Sequence, residues 1–228
     1  MRPLVLVSAD GEWTVLISLL AVETVHESPL GAYFDRRIGG RQVRFFHGGW
    51  GRVSAAAATQ YVIDQFHPDL LINLGTCGGF EGRIGRGTII LVERTIIYDI
   101  VEQMTDGAGA IDHYSTNLDL QWLPRVLPSP VSRGLLVSGD RDIVVEDIPG
   151  LVREYNAVAA DWESGAIAWV AARNRQRLLI LRGVSDLVGR GGGEAYGDYE
   201  LFLSRTREIL QQLLDVLPAW LAAIDSKQ

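Results

Sequence analysis

The run Asp69–Gly75 does most to limit what this chain can become. It reads Asp-Leu-Leu-Ile-Asn-Leu-Gly, with almost no polar position before Asn73. Side chains along a strand alternate between two faces, so a strand apolar on both must be covered on both. That calls for a sheet flanked by helices, and the rest of the chain supplies the parts. Leu4–Ser8, Gln42–His47, Thr88–Tyr98, Gly134–Gly139, Ala157–Ala160 and Leu178–Val184 read as further strands. Glu12–Val22, the alanine-rich Arg52–Phe66 and Trp162–Arg173 carry helical spacing. Tyr199–Ile224 closes the chain as a long amphipathic helix, in which Pro218 predicts a kink or a break. Ile100–Pro130 and the glycine-rich Gly189–Gly197 lack this rhythm. Such stretches read as lids or surface loops, and the former also as a subunit interface. No linker or repeat divides the chain. The expectation is one α/β domain over residues 1–228, with a central mixed, mostly parallel sheet flanked by helices.

Composition narrows the function classes. Lys and Arg total 21 against 28 Asp and Glu, a net charge of -7, which disfavours wholesale binding to a nucleic-acid backbone. No apolar run approaches the roughly 20 residues of a membrane span. The apolar start Leu4–Val7 ends by Asp10, which is not a signal-peptide layout, so the expected location is the cytoplasm. Cys77 is the single cysteine, and the four histidines have no ligand spacing. No metal site is therefore expected. Gly-x-Ser-x-Gly, a Walker A motif and Gly-x-Gly-x-x-Gly are all absent.

In open α/β sheets, ligands sit beyond the carboxyl ends of strands. Here those ends carry Asp10 and Glu12, then Gly48, Gly49 and Gly51, then Thr76, Cys77 and Gly78. Asp140 and Asp142 follow, then Asp161, Trp162 and Glu163, then Arg182, Ser185 and Asp186. What this offers is carboxylate chemistry. Each residue also has a plainer reading. Glu12 suits a helix N-terminus, and Glu163 a helix start with Asp161 as its cap. Asp186 suits a turn, Thr76 and Gly78 a tight turn, and Trp162 the core. Cys77 reads as a small packing residue, because nothing nearby in sequence would lower its pKa. His47 and His113 read as structural.

Four segments, in order, carry a resemblance. Ile72–Gly79 resembles the glycine turn of the nucleoside phosphorylase/nucleosidase superfamily. Gly49–Ala58 is similar to its Gly-x-Gly-Lys/Arg-Val-x-Ala segment, and Val158–Ala168 to its glutamate-bearing helix start, with Trp162 in the methionine place. Leu181–Leu187 matches its Arg-x-x-Ser-Asp loop. Within the superfamily the resemblance is greatest to the 5'-methylthioadenosine/S-adenosylhomocysteine nucleosidase branch. The resemblance implies that Asp186 is the general acid at purine N7, oriented by Ser185. It implies that Glu163 holds the ribose hydroxyls, that Glu12 positions the attacking water, and that Arg182 orients the carboxylates. Thr76, Cys77 and Gly78 would line the sugar and base pocket. It also implies a small-molecule nucleoside substrate, no cofactor and a homodimer. One departure stands out. Where the family has a base-stacking phenylalanine, this chain has Asp142, followed by Ile143. Stacking would then pass to Trp162, with Asp142 meeting a polar edge of the base. The sequence leaves open a phosphate-dependent phosphorylase, a futalosine-type hydrolase and a nucleoside-binding protein without turnover. Asp10 and Glu12 disfavour phosphate.

Overall fold

A computed structural model describes residues 1–105 and 107–225. In chain order the elements are β1 (Pro3–Val7), α1 (Asp10–Leu19), β2 (His26–Ser28), β3 (Gly31–Ile38), β4 (Arg41–His47), α2 (Gly51–Phe66), β5 (Leu70–Phe80), β6 (Ile89–Ile97) and α3 (Gly107–His113). They continue with β7 (Ser115–Asn117), β8 (Ser132–Ser138), α4 (Ile148–Tyr155), β9 (Ala157–Asp161), α5 (Ser164–Arg173), β10 (Leu178–Gly189), β11 (Gly192–Gly193) and α6 (Tyr199–Asp225). The sheet is mixed. Parallel ladders join β4, β1, β5 and β10, and also β6, β8 and β9. The antiparallel β10–β6 and β5–β9 pairings link the two groups, so β5, β10, β6, β8 and β9 close into a ring.

The absence of a polar face is explained by two cores. Val5, Val7, Ile72, Leu74, Leu179 and Leu181 pack with α1 and α6 residues such as Leu16, Leu213 and Trp220. Their neighbours Leu4, Leu6, Leu71, Leu178 and Ile180 point the other way, onto Ala55, Ala58 and Val62 of α2 and Ile167 and Ala171 of α5. A third cluster joins Ile96, Val137 and Ala160 to Leu151 of α4.

Several boundaries differ from the sequence reading. The Gly75–Gly79 segment is no turn; β5 runs straight through it. Likewise Ser185 and Asp186 lie inside β10 rather than after it. A register slip between Val184 and Asp186 marks a bulge, and bulges re-aim side chains beside functional sites. The hairpin strands β2 and β3 were not anticipated. Helix α5 starts at Ser164, not Trp162, and α6 passes through Pro218 without a break. The buried Leu217, Trp220 and Leu221 around that proline hold the helix to the core, offsetting one lost backbone bond. The Gly189–Gly197 stretch closes as the β10–β11 hairpin. None of the described residues of segment 100–130 lines the main cleft; Leu123 is instead buried in the core.

Candidate active site

The ends of β1, β5, β9 and β10 open onto a cleft of about 670 Å³. Its walls include Glu12, Thr76, Cys77, Gly78, Asp142, Ile143, Trp162, Glu163, Ser185 and Asp186. Residues far apart in sequence thus meet on one surface. Arg182 does not reach that surface. It is wholly buried behind it, at the centre of the charge.

The arrangement around Arg182 follows from its neighbours. Asp161, at the end of β9, lies 3.0 Å from its Nε, and Glu12 of α1 lies 3.5 Å from Nη1. Glu163 lies 3.8 Å from Nη2. Burial works against the guanidinium charge, but Asp161, Glu12 and Glu163 more than offset it and hold its pKa above the ordinary value. Gly75 makes room for this. A side chain there would put its Cβ 2.1 Å from Arg182 Nη1 and 2.6 Å from Glu12 Oε1.

Glu12 is the third residue of α1, yet it does not serve merely as a charge at a helix start. It is 1 % exposed, and its Oε1 accepts hydrogen bonds from the Thr76 N–H at 2.5 Å and hydroxyl at 2.8 Å. Its Oε2 is buried without a hydrogen-bond partner among the described residues, as is Arg182 Nη2. Buried polar atoms are nearly always satisfied, so Oε2, on a residue that lines the cleft, is available to a polar group that enters.

Glu163 departs from the helix-start reading as well. Its side chain makes no cap bond to α5; instead Oε1 accepts from the Gly51 N–H at 3.1 Å, at the start of α2. Burial, followed by the opposing pull of Arg182 and the added repulsion of Asp161 and Glu12, raises its pKa. The sequence reading missed the main task of Asp161. It accepts from Ser138 at 2.6 Å, from the Ser164 hydroxyl and from the Ser164 N–H, while facing Arg182. It therefore caps α5 and neutralises the arginine together.

Across the cleft, Asp186 stands apart from this cluster. The Ser185 hydroxyl donates to its Oδ1 at 2.7 Å. Burial raises its pKa against the lowering effect of that bond and of Arg205. Cys77 is buried, and burial pushes its thiol well above the usual range, as suits a packing residue. Trp162 sits half-buried in the wall, its ring 5.0 Å from that of Trp50, which is 62 % exposed. Asp142 is exposed at the mouth. Tyr196, from the glycine hairpin, also lines the cleft, and its hydroxyl donates to the Ile143 carbonyl at 3.1 Å. Neither Trp50 nor Tyr196 was expected; an aromatic residue inside a glycine-rich loop was the available signal for Tyr196. Among the described residues, no group of His, Cys, Asp and Glu is placed to hold a metal ion, and no helix is long and apolar enough to cross a membrane.

The family model described as the phosphorylase superfamily matches residues 3–217. The chain belongs to this superfamily. Its similarity within the superfamily runs to nucleosidases, which are N-glycosyl hydrolases. It is 30 % identical over 191 residues to the 5'-methylthioadenosine/S-adenosylhomocysteine nucleosidase of Thermotoga maritima, covering 82 % of this chain and 85 % of that one. It is 23 % identical over 228 residues to the enzyme of the same name from Marinomonas sp., covering 92 % and 96 %. The fold matches that of the S. pneumoniae nucleosidase of this name, solved with a transition-state inhibitor. The TM-score is 0.73, at 20 % identity over 99 % of this chain and 100 % of that one. The superfamily fold and the sequence-level expectation of it therefore agree.

Proposed function

We propose that this superfamily member is an N-glycosyl hydrolase. Its substrate is 5'-methylthioadenosine, S-adenosylhomocysteine or a closely related purine nucleoside, cleaved by water. One observation carries the reading. The cleft holds carboxyl groups gathered on a buried arginine on one side and, on the other, the Asp186 carboxyl group, held by Ser185 away from that arginine, whose pKa burial raises. Acids held in such different surroundings suit different tasks.

In this reading Asp186 gives its proton to purine N7 as the C1'–N9 bond breaks, so the bonding pair leaves with a neutral base. Positive charge develops on the ribose, and the nearby carboxylates stabilise it. Glu163 binds the ribose hydroxyls. Glu12, its Oε1 held by Thr76 and its Oε2 without a partner among the described residues, holds the water that attacks C1' and takes its proton. Arg182 fixes the three carboxylates from behind. The products are free base and free sugar.

Phosphate in place of water would need a free cation near the glycines. Arg52 is the arginine there, and it is bound by Asp99 and Asp140. Asp10 and Glu12 line the same end of the cleft. The test is chromatographic: base release from methylthioadenosine, S-adenosylhomocysteine, adenosine, inosine, futalosine and uridine, with and without phosphate. Free base and free sugar in both conditions support the hydrolase and name the substrate. A sugar 1-phosphate formed only with phosphate refutes it. The homodimer implied by the resemblance is read from light scattering on the same sample.

A further inference from the structure

Helix α2 begins without a side-chain cap from its own N-cap residue, Trp50. The first N–H groups of a helix have no partner within it and need acceptors. Here two carboxylates from distant segments supply them. Glu163 accepts from the Gly51 N–H at 3.1 Å, and Asp140 accepts from the Arg52 N–H at 2.9 Å. Gly51 sits at φ 82, a left-handed conformation that only glycine adopts without strain. The helix start is therefore built to present its N–H to Glu163.

Arg52 then locks that start in place. Its guanidinium donates to both oxygens of Asp99, at 2.5 and 2.9 Å, and its Nε lies 2.9 Å from Asp140 Oδ2. The Asp140 N–H donates to Asp99 Oδ2 at 3.0 Å and closes the network. A planar guanidinium gripping two carboxylates fixes direction as well as distance, which a lysine cannot do. Three segments are tied this way: the start of α2, the end of β6 and the end of β8.

We infer that Arg52, Asp99 and Asp140 act as a positioning clamp for Glu163 and thereby set how strictly the site demands ribose hydroxyls. None of the three touches the reacting atoms. They act through the Gly51 N–H, which orients the Glu163 carboxyl group. The inference rests on the nucleosidase reading, in which Glu163 binds those hydroxyls. A misplacement of about 1 Å remote from the chemistry is enough to cost roughly 100-fold.

The experiment compares a ribonucleoside substrate with its 2'-deoxy and 3'-deoxy analogues in wild type, Arg52→Gln, Arg52→Lys, Asp99→Asn and Glu163→Gln. Thermal melts confirm that each variant folds. Arg52→Gln and Asp99→Asn are expected to lower the ribo-to-deoxy ratio of kcat/KM about tenfold or more, chiefly through a higher KM for the ribonucleoside. Arg52→Lys should fall between them and wild type. Adding Arg52→Gln to Glu163→Gln should lower the ratio no further. A general structural defect would instead depress all three substrates alike and leave the ratio unchanged, and that result overturns the inference. If Arg52→Gln does not fold, Asp99→Asn and Arg52→Lys decide by the same ratio. A wild type that cleaves no nucleoside refutes the nucleosidase reading and takes this inference with it. A working wild type whose clamp variants keep its ratio refutes the clamp alone.

Discussion

Replacing Arg182 by methionine tests whether the buried cluster behaves as one electrostatic unit. Methionine keeps much of the stem volume but removes the cation. Glu12, Asp161 and Glu163, all buried, are left facing one another within a few ångströms of the old guanidinium. Removing one partner of a buried ion pair costs about 3–5 kcal/mol, because the remaining charge is neither hydrated nor compensated. Three dependent carboxylates place this case at the upper end. Unfolding entropy is about 2.1 cal/mol/K per residue, so for 228 residues a loss of about 4 kcal/mol lowers Tm by about 8 °C. The sign with pH follows from the same charges. Burial already raises the Glu163 pKa, and without the opposing pull of the arginine it rises further above its unfolded value. Such a group contributes stability that is present below its unfolded pKa and is lost as pH rises through the folded one. The gap between wild type and variant should widen from pH 5 to pH 8. Adding Glu163→Gln should recover part of it. Urea titrations and melts at both pH values make the measurement. A loss below about 1 kcal/mol, or a gap independent of pH, would show that the cluster is not a desolvated charge network.

Other substitutions separate chemistry from support. Asp186→Asn should cut turnover by about 100- to 10,000-fold, the usual worth of a general acid. In wild type the rate should fall as pH rises through the raised Asp186 pKa, and in the variant that alkaline limb should vanish. The same variant should be no less stable than wild type above neutral pH, because burial penalises the ionised aspartate. Melts at pH 8 check this. Gly75→Ala places a methyl 2.1 Å from Arg182 Nη1 and should destabilise by about 1–3 kcal/mol, read in urea. Tyr196→Ala should weaken inhibition by free base while sparing kcat, because the ring lines the cleft beside Ile143. Unchanged base inhibition would place Tyr196 outside the binding surface.

The sheet and its helices were legible because hydrophobic pattern reports burial directly. Asp69–Gly75 had to be covered on both faces, and it is. The hairpin β2–β3 was hidden because Glu27, Asp35, Arg36 and Arg37 are exposed and leave little apolar alternation to read. The Gly75–Gly79 segment looked like a turn because glycine is the usual turn residue. Here its lack of a side chain makes space for Arg182 beneath the strand, a tertiary reason that no local window contains. Residues that line the cleft could be read at strand ends, but their contacts with one another could not. Nothing in the order of residues says that Asp161 pairs with Arg182, or that Glu163 is held from α2 rather than from its own helix. Those contacts span long stretches of chain and exist only once the sheet has assembled.

The ring of β5, β10, β6, β8 and β9 has a consequence for how such a protein changes. Thr76, Asp161 and Asp186 are spokes of one hoop, and a closed hoop cannot be hinged apart without breaking several ladders together. The side chains these strands carry into the cleft are thus shielded from drift in the pieces around them. Trp50, Asp142 and Tyr196 lie on the rim, carried by connections that bear little of the hoop's load. Exchange of rim residues can therefore change the diet of the enzyme while its chemistry stays in register. Asp142, where the sequence resemblance implied a base-stacking phenylalanine, is a rim position.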